Sequence, residues 1–253
     1  MVSYIDSFSR AKEVHDFIIS KDIKEIGLDS EFDGVDFDNG DNCVLRSVLD
    51  VWSIALFDGG LHPRGYSTSK GVVLSRSVLP VFADILGDVN VKKYAHNSSV
   101  DVHTFNNDGV DVLGVVDTLQ LARFTFPERF KYGLDDLGKE FLDIGKFISF
   151  KELCTEPVIE ERIVEVKTCS CGIEGCRKRK GHTKTVEEIL EPYETKKRVR
   201  IDIGTIKPGD YRWNTKLEYA AQDAVIALCL GDYCNRKLKK ITYDNPFRVG
   251  KQI

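Results

Sequence analysis

Two carboxylates one residue apart close an apolar run, Ile26-Gly27-Leu28-Asp29-Ser30-Glu31-Phe32. In a buried strand, side-chain alternation sends Asp29 and Glu31 to the same face. Like charges that close are tolerated when a cation neutralises them or one is protonated, and hard divalent ions with oxygen ligands are the usual solution. The pair is therefore a candidate metal claw, although a triplet this short needs structural context. A second pair stands near the C-terminus, in Lys216-Leu217-Glu218-Tyr219-Ala220-Ala221-Gln222-Asp223. Tyr219 and Asp223 are four apart in a strong helix former, so a phenol and a carboxylate share one face and can act on one substrate atom. The structural alternative is a core aromatic beside a surface acid.

Two further clusters carry chemistry of another kind. Cys169-x-Cys171-x4-Cys176-x5-His182 supplies four soft ligands with glycines between them. That set suits a structural zinc ion, the alternative being free thiols in a loop. Arg177, Lys178, Arg179 and Lys180 stand inside the same run, followed by Lys184, Lys196, Lys197, Arg198 and Arg200. Nine positive charges in an otherwise acidic chain fit a grip on a nucleic-acid backbone, or else a solvated or protein-docking basic surface.

The elements that must position these groups follow from periodicity. Ala11, Val14, Phe17 and Ile18 predict an amphipathic helix over 9–20, Ile23–Phe32 a strand, and Leu49–Phe57 a second strand running into Asp58-Gly59-Gly60, a hairpin signal. The acid-rich stretch Asp33–Asn42 reads as a loop over the carboxylate end of the first strand. Ser75–Leu86 is expected to be helical, Val89–His96 a strand, Asn97-Ser98 an N-cap with Asp101 in the first turn behind it, and Val112–Val116 another strand. Thr118–Phe124 and Tyr132–Leu142 are expected helices, and the C-terminal helix opens on the capping box Thr215-x-x-Glu218. Hairpin strands followed by alternating helix and strand make an α/β sheet of mixed direction, with polar groups converging at one rim. Apolar-charged alternation over 159–168 and 183–201 suggests two extended strands of a ribbon with a zinc-pinned tip.

At 253 residues and 42% hydrophobic content the chain can bury a sizeable core. No apolar run is long enough to span a membrane, and the start lacks a basic-then-apolar secretory pattern, so an intracellular protein, cytoplasmic or nuclear, is expected. Seven cysteines, an odd number, argue for reduced thiols and against a disulfide framework. A net charge of -4 does not exclude nucleic acid, because an enzyme that holds cations on its own carboxylates can be acidic overall.

Taken in order, Leu28-Asp29-Ser30-Glu31, His96-Asn97-Ser98-Ser99-Val100-Asp101, Asp117-Thr118-Leu119-Gln120-Leu121-Ala122-Arg123, Leu134-Asp135-Asp136-Leu137 and Tyr219-Ala220-Ala221-Gln222-Asp223 resemble the motifs of the DEDD (DnaQ-like) 3′–5′ exonuclease superfamily. The Tyr-x-x-x-Asp form is similar to its tyrosine subgroup, which holds ribonuclease D, the Werner-type exonucleases and the proofreading domains of family A DNA polymerases. The resemblance implies an RNase H-like mixed sheet flanked by helices and two Mg²⁺ or Mn²⁺ ions on Asp29, Glu31, Asp101 and Asp223. It also implies that Tyr219 orients the attacking water. Asp111 or Asp117 is the next candidate should Asp101 be misassigned. Asn97 is a candidate for gripping the terminal nucleotide, and Phe32 either wedges against its base or packs in the core. His96 reads as a hydrogen-bonded structural residue. The chain departs from the pattern between Gly145 and Trp213, so 146–213 is expected to be an insertion, basic and zinc-binding, within one catalytic domain over 1–253. The expected activity is a 3′–5′ exonuclease on single-stranded DNA, alone or proofreading for a DNA polymerase in trans. The alternatives are an exoribonuclease of ribonuclease D type and a non-catalytic nucleic-acid-binding scaffold on the same fold.

Overall fold

Alternating apolar residues build the sheet of this protein, and apolar helical stripes cover it on both faces. The computed structural model describes residues 2–33, 47–146, 148–169, 184–201 and 203–244. Along the chain run β1 (Ser3–Ile5), α1 (Phe8–Ser20), β2 (Glu25–Asp33), β3 (Val48–Leu61), β4 (Ser67–Ser75) and α2 (Ala83–Gly87). They are followed by β5 (Lys92–Ala95), α3 (Ser99–Asn107), β6 (Val115–Asp117), α4 (Thr118–Thr125), α5 (Leu134–Leu137), α6 (Phe150–Leu153), β7 (Thr155–Cys169), β8 (Lys184–Arg200) and α7 (Trp213–Asp244). Among the described residues no helix is long and apolar enough to cross a membrane.

The chain divides into two compact units, 1–153 with 202–253, and Cys154–Ile201. The first holds a six-stranded sheet in the order β1-β4-β3-β2-β5-β6. The hairpins β2/β3 and β3/β4 are antiparallel, whereas β1/β4, β2/β5 and β5/β6 are parallel. This is the mixed sheet expected from hairpins followed by helical crossovers. Even positions of β2 and β3, Ile26, Leu28, Trp52 and Ile54, join Phe82 and Phe105 in one core cluster on the side of α1, α2 and α3. On the other face Val51 packs with Leu217, Ala220 and Ala221, and Ala55 with Ala224 and Leu228, all five helical positions belonging to α7. Gly27 lets this long helix sit directly on β2: a Cβ there would stand 2.9 Å from Leu228 Cβ and would run into the Ala224 carbonyl. Odd positions of β2 therefore face α7, Asp29 and Glu31 among them.

Several expectations are corrected. Ser75–Leu86 is not one α-helix: Arg76–Phe82 is a 3₁₀ turn with Pro80 inside it, since proline's missing N–H interrupts the α ladder, and α2 follows. Asp58-Gly59-Gly60 is not the hairpin turn. Strand β3 runs through it with a register irregularity between Phe57 and Leu61, and the chain reverses at His62–Tyr66, where Gly65 has φ 83°. The expected helix over 132–142 is α5 followed by a π-helical turn, Gly138–Leu142, that ends at Asp143 with φ 55°. Helix α7 begins at Trp213, so Thr215 lies inside it and caps nothing. β1 has no counterpart in the sequence reading. The second unit is a two-stranded antiparallel ribbon, β7 with β8, paired from Thr155↔Arg200 to Cys169↔Lys184 with a register shift between Pro157 and Ile159. It lies within the stretch 146–213 where an insertion is expected, and 146–153 and 203–213 belong to the first unit.

Candidate active site

Strand β2 delivers Asp29 and Glu31 to the face covered by α7, which brings Tyr219 and Asp223 down on the same side one helical turn apart. Ser53, the register partner of Asp29, donates its hydroxyl to the Ala220 carbonyl at 2.8 Å and fixes the height of the helix over the strand. Asp101 comes from the first turn of α3 on the opposite face. It reaches the strand through Ser30, whose N–H and hydroxyl donate to its Oδ1 at 3.0 and 2.6 Å. Glu31, Asp101, Tyr219 and Asp223 are all buried.

Four acids in one place have electrostatic consequences. Burial first, then the Asp223, Glu31 and Asp101 charges, holds Asp29 well above the carboxylate range. Glu31 is pushed up to about 8, by burial and then by Asp223. Asp101 is pushed up to about 7 by burial, against the lowering effect of its Ser30 hydrogen bonds. Asp223 is also raised by burial, although the Lys146 ammonium beside it pulls the other way. Tyr219 is raised by burial and then by Asp223, Glu31 and Asp29, so it stays a neutral phenol. Carboxyl groups converged in this way favour either a shared proton or a cation as counterion.

Its oxygens are arranged accordingly. Asp29 Oδ2 and Asp223 Oδ1 are sealed from solvent and have no hydrogen-bond partner. Oxygen donors of net negative charge fit Mg²⁺ or Mn²⁺ and not a soft ion, so the residues present suit such a cation. Among the described residues no three His, Cys, Asp or Glu groups already stand in ligating positions. Asp101 accepts from Ser30, and Asp223 from Lys146.

Sequence reasoning missed four residues here. Lys146 donates to Tyr219 Oη at 2.7 Å and to Asp223 Oδ2 at 2.6 Å. Lys216, fully buried, donates to Asp50 Oδ2 and to the carbonyls of Ile203 and Ile206, and its charge acts on Glu31. Ser30 anchors Asp101, and Phe150 stands 6.2 Å from the Tyr219 ring, centroid to centroid. Of these only Ser30 carried a usable signal, its place between the two acids; nothing in the spacing of the others signals them.

The remaining candidates lie as follows. Phe32 is half-buried just past the irregularity in β2 between Glu31 and Phe32. Asn97 is exposed, with φ 58°, and its N–H donates to Asp117 Oδ1 at 3.0 Å. Asp117 also accepts from Leu119 N–H and caps α4. His96 bonds the Thr118 hydroxyl and the Tyr132 carbonyl, both at 2.9 Å. Cys171, Cys176, His182 and the basic run Arg177, Lys178, Arg179 and Lys180 lie outside the described residues, as do residues 34–46; Cys169 ends β7.

Comparison with known proteins bears on the family and the fold. A family model described as 3′–5′ exonuclease matches residues 6–164. Over 89 residues the chain is 36% identical to the chloroplastic DNA polymerase I A and to the mitochondrial DNA polymerase I B of Oryza sativa subsp. japonica. The matched stretch is 35% of this chain and only 6% of either polymerase. Among solved structures, Escherichia coli RNase D superposes with a TM-score of 0.56 at 15% identity, covering 96% of this chain and 46% of that one. Brucella melitensis NrnC with bound Mg²⁺ gives 0.53 at 14% identity, covering 97% and 86%. At such identities these two show the fold, an RNase H-like one.

Proposed function

The chain belongs to the 3′–5′ exonuclease family, and from that membership we propose that it releases nucleoside 5′-monophosphates from the 3′ end of single-stranded DNA. In this reading Asp29, Glu31, Asp101 and Asp223 hold two divalent cations and Tyr219 orients the attacking water. The observation that carries it is the pair of sealed, partnerless oxygens, Asp29 Oδ2 and Asp223 Oδ1, in a shell of acids beside a neutral phenol. Divalent cations, when bound, neutralise that shell and stabilise the incoming and departing oxygens of an in-line displacement at phosphorus.

The side chains have a positioning task, since phosphoryl transfer asks little covalent chemistry of the protein. The Tyr219 hydroxyl offers one proton and a lone pair to a water. That water's oxygen forms the new bond to phosphorus, the bond to the 3′ oxygen of the preceding nucleotide breaks, and a proton ends on that oxygen. Ser30 and Lys216 hold Asp101 and the segment around Ile203 and Ile206 in place behind the acids. DNA is favoured as substrate by the 36% identity with two DNA polymerases over 89 residues, whereas the likeness to RNase D is one of fold.

The test is a gel assay on 5′-labelled single-stranded DNA and RNA with Mg²⁺ or Mn²⁺. We expect a ladder shortening from the 3′ end, faster on DNA, and lost both in chelator and in the Asp29→Ala, Glu31→Ala double variant. A faster ladder on RNA makes the protein an exoribonuclease. No ladder on either polymer, with binding retained, turns the reading to a scaffold on the same fold.

A further inference from the structure

Lys146 is a group of this site that the acidic motifs do not account for. Its side chain is 14% exposed, and its ammonium makes three contacts at once: Asp223 Oδ2 at 2.6 Å, Tyr219 Oη at 2.7 Å, and the face of the Tyr219 ring, 4.2 Å from the centroid. A lysine on a flexible stem holds such a place only when its backbone is fixed, and here it is. The Lys146 N–H donates to Asp135 Oδ1 at 2.8 Å, and the Gln222 amide donates to the Gly145 carbonyl at 2.6 Å. Upstream, Arg64 on the turn between β3 and β4 binds Asp143 at 2.5 Å and also the Glu140 carbonyl, and Tyr66 Oη donates to the Leu142 carbonyl at 2.5 Å. Gln222 lies between the two residues that Lys146 touches, so the helix that carries Tyr219 and Asp223 also fastens the segment that delivers the lysine to them.

We propose that Lys146 is a positioning residue of the hydrolytic reaction, holding the Tyr219 hydroxyl and one Asp223 oxygen in fixed relation while leaving the other Asp223 oxygen to the cation. This rests on the exonuclease reading above. The division of labour is visible on Asp223: Lys146 takes Oδ2, and it is Oδ1 that is sealed without a partner. Lysine therefore complements a cation at this carboxylate and does not occupy its place. On Tyr219 the ammonium engages one lone pair, so the hydroxyl rotor is restricted and the proton and remaining lone pair have defined directions. A phenol that must aim at a water gains from such a restriction.

The experiment uses the full chain with Lys146→Met, which keeps length and removes charge, Lys146→Arg, which keeps charge, and Gln222→Met, which unfastens the segment. Turnover and KM are measured on a 5′-labelled single-stranded DNA, Mn²⁺ binding by calorimetry on metal-free protein, and melting in chelator. We expect Lys146→Met to lose about 10-fold or more in kcat, with KM within about twofold. Mn²⁺ should bind this variant at least as tightly as wild type, because a nearby positive charge has gone. Lys146→Arg should recover part of the loss, and Gln222→Met should lose kcat in the same direction. Full turnover with tighter Mn²⁺ binding would mean that the lysine only fills the metal-free site, and overturns the proposal. A loss of kcat repaired by excess Mn²⁺ overturns it too, placing Lys146 in metal binding. Should Lys146→Met fail to melt cooperatively, the other two variants decide by the same criteria. A wild type that binds Mn²⁺ but makes no product refutes the exonuclease reading, and this proposal with it.

Discussion

Tyr219 is a neutral phenol inside a ring of acids, and that fixes the kind of help it can give. Burial and the neighbouring carboxylates raise its pKa, so the neutral phenol, with its O–H and lone pairs, is the favoured form. Tyr219→Phe removes that hydroxyl and keeps the ring against Phe150. We expect kcat to fall about 10²-fold with KM nearly unchanged, read from steady-state kinetics on labelled single-stranded DNA. A KM effect alone would make Tyr219 a substrate-stacking residue. A second residue-level prediction concerns stability. Lys93 is buried in β5 with a hydrogen bond to the Asp88 carbonyl at 2.6 Å, and burial pushes its pKa from 10.5 down to about 8. Between those values the unfolded chain binds the proton that the folded chain releases, so stability rises with pH across that window, and the cost is fully present below pH 8. Lys93→Met should raise Tm at pH 7 and flatten the rise between pH 8 and 10, followed by circular dichroism. Residues of the site were legible where a local period placed them: Asp29 with Glu31 on a strand, Tyr219 with Asp223 on a helix. Lys146 was not, because it meets its partners across 73 and 77 positions of chain on an irregular segment.

Helix α7 and strand β2 are the two elements whose spacing sets the distance between Asp223 and Asp29. Gly27 and Gly71 both lie under the helix, and a Cβ on Gly71 would stand 2.7 Å from the Ala221 carbonyl. Gly27→Ala must therefore lift α7 or bend it. We expect a loss of about 1 to 3 kcal/mol in stability from overpacking. The loss of kcat at a temperature where the variant is fully folded should exceed what that stability change explains, because the helix carries Tyr219, Gln222 and Asp223 together. Melting curves and turnover on the same preparation check it; a destabilised variant with full turnover would show that the site tolerates the shift. Element legibility followed the strength of the period. Helices α1, α4 and α7 and the hairpin of β2 with β3 were read with ends within a few residues except at the C-terminus of α7, since each has an apolar stripe or alternation several residues long. β1 is three residues long, too short for any period. Asp58-Gly59-Gly60 misled because glycines mark an irregularity inside a strand as readily as a turn.

At the scale of the molecule, an acidic catalytic unit carries a ribbon whose tip sequence is basic. The ribbon leaves and returns at adjacent residues: Ile201 N–H donates to the Cys154 carbonyl at 2.9 Å, and Thr155 pairs with Arg200. Residues 155–200 can therefore be replaced by a two-residue Asn-Gly turn without stretching the chain. None of Asp29, Glu31, Asp101, Lys146, Tyr219 and Asp223 is in the excised stretch, so the shortened protein should keep a cooperative melt and its turnover at saturating DNA. What it loses is the run Arg177, Lys178, Arg179 and Lys180 with the five basic residues that follow. If these contact phosphates, KM should rise, and the dependence of log KM on log salt should flatten by about 0.7 for each contact removed on a single strand. Measuring KM between low and moderate salt for both proteins separates the alternatives. A parallel pair of lines would make the basic run a surface without a role in substrate binding. A shallower line for the shortened protein makes it the grip that brings a polyanion to an active site whose own charge would repel it.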